Sequence, residues 1–182
     1  MWYDLDLPDV IELRRKFIGD EGVRYHLLAC SVLEDAWMET VMVHRGRPFL
    51  FLAEGVFMYF EEAQVKSLVL RLRDHFPGAE LVFDAWRPFE IWIGNRVLGG
   101  LLRWGFWRSQ EIEGWGGPST SLRTGGIRLL DEWGYFDQPE PRLSRFRWMA
   151  PLWRLLKPMR IFRFNLDLQV CERRMLCTQI LS

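Results

Sequence analysis

The chain has 182 residues, 49% of them hydrophobic and 26% charged, with 24 bases balancing 24 acids. That length suits a single core, and the composition excludes a disordered tail or a collagen-like fibre. The longest nearly uncharged apolar stretch, residues 48–60, carries Glu54 and falls short of the roughly 20 residues a membrane-spanning helix needs.

Short apolar runs alternate with helical stretches, the pattern of an α/β fold with a mainly parallel sheet. Residues 2–7, 25–30, 49–53 and 80–83 are expected as strands. Between the first two, Val10, Leu13 and Phe17 recur at helical spacing after Pro8, which predicts a helix over 9–18. Val65, Leu68, Val69 and Leu72 share one face of a second helix over 61–75, stopped by Pro77-Gly78. In such sheets ligands bind outside the carboxyl ends of the strands, so Asp6, Ser31, Glu54 and Asp84 are the positions of interest.

Residues 86–126 are rich in aromatics and glycine without a clear strand and are expected as a lid, with a helix over 91–104 and a loop over 114–118. Residues 128–137 suggest a short helix followed by a strand through Tyr135-Phe136. Residues 159–166 read as a final strand, its arginines solvated on the outer face and the last two strands closing the sheet antiparallel.

The acidic, aromatic start lacks the basic and apolar regions of a secretion signal, which predicts a cytoplasmic protein. Cys30, Cys171 and Cys177 form no C-x-x-C pair, so a disulfide framework is not expected and Cys30 reads as a buried free thiol. His26, His44 and His75 lack metal-ligand spacing, and no metal site is expected. Ser119 and Ser121 have no nucleophile-elbow context. The first 90 residues carry six more acids than bases and the remainder six more bases than acids. Arg142, Arg145, Arg147, Arg154, Lys157, Arg160 and Arg163 lie among aromatic residues with no intervening acid, a stretch suited to anionic groups.

Five ordered segments carry a family resemblance. Trp2-Tyr3-Asp4-Leu5-Asp6-Leu7-Pro8 with Asp9 to Arg14, Ser31-Val32-Leu33 with Trp37, Phe51-Leu52-Ala53-Glu54-Gly55 through Phe60, Phe76-Pro77-Gly78 through Asp84, and Glu132-Trp133-Gly134-Tyr135-Phe136 with Pro139 resemble the leucine carboxyl methyltransferase family, in particular its polyketide O-methyltransferase branch. They match that family's strands two to six, over roughly residues 2–166. The resemblance implies a Rossmann-like class I sheet with helices on both faces, S-adenosylmethionine as cofactor, and methyl transfer to a carboxylate or hydroxyl oxygen of a small acceptor. The family's Gly-rich first strand, central in its sheet, has no counterpart before the Asp-Leu-Pro segment. The expected organisation is an N-terminally truncated methyltransferase domain over 1–168, a lid over about 86–126, and a divergent tail over 169–182.

On that resemblance Asp6 and Leu7, Ser31, Val32 and Leu33, and Glu54 and Gly55 are the cofactor-binding candidates. A strand-end carboxylate such as Asp6 can accept both ribose hydroxyls, with a helix-capping or solvated acid as its ordinary alternative and Asp4, on the same strand face, as its competitor. Glu54 closes an apolar strand, so an unpaired charge there is costly; the cofactor's amino group or a nearby arginine would compensate it. Val32 and Leu33 either flank the adenine or serve only the core, with Ser31 or Glu34 near the ring's edge. A carboxylate acceptor needs no general base, whereas a phenol is helped by one; Tyr59 and Asp84 are the catalytic candidates, with His26 beside them. Trp86, Trp92, Trp104, Phe106 and Trp107 are either an acceptor pocket or lid core. The reading predicts that the strand-end groups converge on one adenosyl ligand. The alternative is a non-catalytic interaction module using an exposed sheet edge and the basic aromatic segment.

Overall fold

The computed structural model describes residues 1–18, 22–116, 126–134 and 159–167. The chain divides into two compact units, Met1–Arg47 and Pro48–Ser182.

In the first unit, strand β1 (Trp2–Asp6) pairs in parallel with β2 (Tyr25–Ala29), from Trp2 opposite Tyr25 to Asp6 opposite Ala29. A parallel pair needs a crossover, and helix α1 (Pro8–Ile18) forms most of it. Pro8 opens the helix at the position where its missing N–H costs nothing. The apolar stripe that signals this helix nonetheless faces outward: Val10 and Leu13 are exposed and Phe17 is 80% exposed, whereas Ile11 is fully buried. A second helix, α2 (Ala36–Met42), buries Trp37, Met38 and Val41. It was not among the expected elements, because its seven residues give barely two turns of pattern.

In the second unit, β3 (Leu50–Ala53), β4 (Ala79–Ala85), β5 (Ile127–Gly134) and β6 (Arg160–Leu166) form one sheet in the order β3-β4-β6-β5. β3 and β4 are parallel, joined through helix α3 (Glu62–His75), while β6 runs antiparallel to both neighbours. A capping box starts α3: the Glu61 N–H donates to Gln64 Oε1 at 2.9 Å while the Glu61 side chain accepts from the Gln64 backbone. Its predicted apolar face, Val65, Leu68, Val69 and Leu72, is buried.

The cross-strand register gives this sheet two unlike faces. Leu81, Phe83 and Ala85 lie opposite Phe164, Phe162 and Arg160, while Glu80, Val82 and Asp84 lie opposite Asn165, Arg163 and Ile161. The first face carries an aromatic core in which Phe83 lies 5.0 Å from Phe57, 6.2 Å from Phe106, 6.1 Å from Phe162 and 5.7 Å from Phe164 between ring centroids. On the other, Arg163 forks onto Glu80 at 2.8 and 2.9 Å.

Several boundaries differ from expectation. The helix expected over 91–104 is α4 (Pro88–Leu98). It stops at Gly99, which takes the left-handed cap conformation at φ 65°. Asn95 then ties the returning chain by donating to the Leu102 carbonyl and accepting from its amide, both at 2.8 Å. A short α5 (Ser109–Glu113) and a 3-10 turn at Gly114–Gly116 follow, the latter where a loop was expected. The short helix expected after residue 128 is absent, because residues 127–134 are continuous strand with a register shift between Leu129 and Asp131. Tyr135, Phe136, most of the basic aromatic segment and the tail lie outside the described residues. Among the described residues no helix is long and apolar enough to cross a membrane.

Candidate functional site

The acids at the end of β1 divide in function. Asp4 is occupied: Arg14 from α1 pairs with its carboxylate, and the Tyr25 hydroxyl donates to it at 3.0 Å. The Tyr25 hydroxyl and the Asp4 charge both push the Arg14 guanidinium further up its already high range. Asp6, half-buried, instead accepts the adjacent Leu7 N–H at 2.8 Å, where the strand gives way to α1. Leu7 itself is exposed, its carbonyl accepting from the amides of Val10 and Ile11.

After β2 the chain makes a small closed turn. The Ser31 N–H donates to Glu34 Oε1 at 3.0 Å, the Leu33 N–H donates to Ser31 Oγ at 3.2 Å, and the Trp37 indole donates to the Val32 carbonyl at 3.0 Å. Ser31, Val32 and Leu33 are half-buried, so part of each reaches the surface on a turn braced by its own side chains. Cys30 is a half-buried free thiol, less enclosed than expected, with its pKa raised by burial and by Glu34. His26 stacks on Tyr3 at 5.0 Å, and the Tyr3 hydroxyl lies 2.8 Å from His44 Nε2. Among the described residues no group of His, Cys, Asp or Glu could hold a metal ion.

At the ends of β3 and β4 the expectation about Glu54 is reversed. Glu54 is exposed, so its charge needs no buried partner. The enclosed acid is Asp84, 6% exposed near the end of β4, where it follows Leu81, Val82 and Phe83. Its Oδ1 accepts the Gly55 N–H at 2.7 Å. Burial pushes the Asp84 carboxyl above its ordinary value, the Gly55 and Asp84 amides pull it back, and the Glu54 charge adds to the rise. Gly55 turns the chain at φ 65°, a conformation that costs a side-chain-bearing residue more than glycine. Tyr59, on the 3-10 turn Phe57–Tyr59, is 49% exposed.

The aromatic residues of 86–107 lie in different surroundings. Trp104 and Phe106 are core, their rings tilted against Phe83. Trp86, with Glu90, Ile93, Gly94, Val97 and Leu98, lines an open groove of about 400 Å³. The Trp86 indole N–H is buried without an acceptor among the described residues. Trp92 and Trp107 are exposed, the first beneath the Arg96 guanidinium at 3.9 Å and the second stacked on Phe89.

The two described arginines of the basic segment are both engaged. Arg160, expected on the solvated outer face, is buried among aromatic rings, because strand alternation carries it to the face that holds Phe162 and Phe164. Its guanidinium donates to Glu132 at 2.9 Å and to the Phe106 and Trp107 carbonyls at 3.3 and 3.1 Å. Arg163 is bound to Glu80, whose pKa this contact lowers. Neither is an uncommitted cation for an anionic surface; Arg142, Arg145, Arg147, Arg154 and Lys157 lie outside the described residues.

The chain is similar to known methyltransferases. It is 31% identical over 143 residues to the tetracenomycin polyketide synthesis O-methyltransferase TcmP of Streptomyces glaucescens, covering 76% of this chain and 49% of that protein. It is 34% identical over 110 residues to the S-adenosyl-L-methionine-dependent methyltransferase dpfgK of Gibberella zeae, covering 57% of this chain and 37% of that one. The chain thus spans about half the length of TcmP and less of dpfgK. No protein-family model matches it. Among solved structures, a DUF574 family protein from Streptomyces avermitilis superposes with a TM-score of 0.57 at 13% identity, over 90% of this chain and 64% of that one. A SAM-dependent methyltransferase from Anabaena variabilis superposes with a TM-score of 0.55 at 11% identity, over 90% of this chain and 66% of that one. The fold is therefore the mixed α/β fold of methyltransferases.

Proposed function

We propose that this chain is part of an S-adenosylmethionine-dependent O-methyltransferase that acts on a small, polyketide-like acceptor, in the leucine carboxyl methyltransferase family. The observation that carries the reading is the 31% identity to TcmP over 143 residues, 76% of this chain. The donor chemistry of those strand ends fits the cofactor. Asp6 presents a carboxylate suited to a ribose diol, and the engagement of Asp4 with Arg14 and Tyr25 removes its competitor. Ser31, Val32 and Leu33 offer a braced, half-buried edge for the adenine. Glu54 is a carboxylate open to the methionine ammonium, and Gly55 leaves the turn beside it without a side chain.

The cofactor supplies a methyl group on a sulfonium, a leaving group that needs no further activation. This chain's residues are then left with binding, alignment and exclusion of water. The groove beside Trp86 is almost wholly apolar and suits a flat aromatic acceptor. Tyr59, half-exposed, is the group we assign to the acceptor oxygen, as a hydrogen-bond partner for a phenol or carboxylate. Asp84, buried and bound to Gly55, is placed in a supporting role.

Calorimetry of the 182-residue chain with S-adenosylmethionine tests the reading. Binding is expected, with Asp6→Asn weakening it at least tenfold and Asp4→Asn acting chiefly on stability. Undetectable binding, or binding indifferent to Asp6→Asn, would reject the assignment.

A further inference from the structure

We propose that Asp84 is a positioning residue for Glu54: it holds the Gly55 amide, fixes the left-handed turn that ends β3, and so sets where the Glu54 carboxylate meets a cationic ligand group. That the cation is the ammonium of S-adenosylmethionine rests on the function proposed above; that Asp84 sets the turn does not.

The argument begins with the strands. β3 and β4 are parallel, and their last paired residues are Ala53 and Phe83. Each strand then contributes one acid, Glu54 and Asp84. Two carboxylates side by side repel, and an apolar strand end is a poor place for either. The fold separates them by environment: Glu54 stays in water and Asp84 goes inside, 6% exposed. A buried acid is retained at such a cost only where its oxygen is used, and Asp84 Oδ1 takes the Gly55 N–H at 2.7 Å across 29 residues of sequence. That amide belongs to the residue whose φ of 65° reverses the chain directly after Glu54. Releasing it would free the turn and, with it, the direction of the Glu54 side chain. Glu54 and Gly55 follow the strand's last ladder pair, so the β3–β4 ladder does not itself hold them.

The groups bearing on the Asp84 carboxyl are the Gly55 and Asp84 amides and the Glu54 charge from the β3 end, while Ile161, its partner on β6, is apolar. Titration of Asp84 should therefore be felt at the Gly55 amide. Asparagine keeps an acceptor oxygen but does not ionise; alanine removes the acceptor.

The test is amide NMR of the whole chain, followed by binding of S-adenosylmethionine. In the parent protein the Gly55 amide should exchange slowly and its shift should follow the titration of Asp84, which burial raises above its ordinary value. Asp84→Asn should keep the protection and abolish the titration, and Asp84→Ala should speed Gly55 exchange at least tenfold while the β4 amides stay protected. An unchanged Gly55 amide in Asp84→Ala would overturn the proposal. If that variant does not fold, persistence of the titration in Asp84→Asn overturns it. In binding, Asp84→Ala and Glu54→Gln should each weaken affinity about tenfold and the double variant no further, since both act through one carboxylate. Full additivity, or an effect of Glu54→Gln alone, would refute the positioning role and leave the functional reading intact. Absence of binding by the parent chain would reject the functional reading, with the Gly55 amide still deciding the role of Asp84.

Discussion

Phe83→Ala should destabilise the protein by about 3–5 kcal/mol, the range for removing a fully buried phenylalanine. Phe83 is 1% exposed at the centre of the aromatic face, within ring contact of residues from the 3-10 turn, the 104–106 segment and β6. Its neighbours are rings anchored on separate elements, so they cannot all move inward to fill the space. In a chain of this size the midpoint of thermal unfolding should fall by roughly 6–20 °C at about 2–4 °C per kcal/mol. Phe83→Leu should recover more than half of the loss, because it restores most of the volume. A loss below about 1 kcal/mol for the alanine variant, against the usual range, would show that the core is not centred on this ring.

Arg160→Met should cost about 2–4 kcal/mol, for reasons of polar satisfaction rather than volume. The Arg160 guanidinium is the donor for the Phe106 and Trp107 carbonyls and for Glu132, and methionine leaves all three without it. Phe106 is buried, so water cannot readily take the donor's place at its carbonyl, whereas Trp107 is half exposed. Glu132 is a third exposed and regains water, so Glu132→Gln should cost about 1 kcal/mol or less, as expected for a partly solvated pair. Urea unfolding of both variants measures the difference. Equal losses would mean that the ion pair, not the two carbonyls, explains why Arg160 is inside.

What could be read from the sequence follows from pattern length. β1, β2, β3 and α3 were legible because each has a run long enough to show its period, and Pro77-Gly78 marks the end of α3 by backbone chemistry; the apolar pattern past Gly99 hid the end of α4. β5 was misread in its first half: its register shift at Leu129–Asp131 places Leu129 and Leu130 side by side and breaks the two-residue alternation that identifies a strand. α2 left a signal in Trp37 and Val41, one helical turn apart, but too short a one to stand alone.

The candidate site was legible as a set of strand ends and illegible in its internal assignments. Sequence places Glu54 and Asp84 alike at the close of apolar strands, and only the packed fold decides which acid faces water. Asp4 is engaged by Arg14 and Tyr25, residues 10 and 21 positions away from it, which no local pattern around Asp4 and Asp6 reveals. The Asp84–Gly55 bond has no local signature at all. A lone acid at the end of a buried strand was the available hint that some amide elsewhere in the chain required it.

The most direct test of the central proposal, that the chain binds S-adenosylmethionine, is its amide spectrum titrated with that ligand. Saturable shifts of Leu7, of Ser31 to Leu33 and of Gly55, all reproduced by S-adenosylhomocysteine, which keeps the adenosine and the amino group, are the predicted result. A spectrum unchanged at Leu7 and Gly55 at saturating ligand would contradict it.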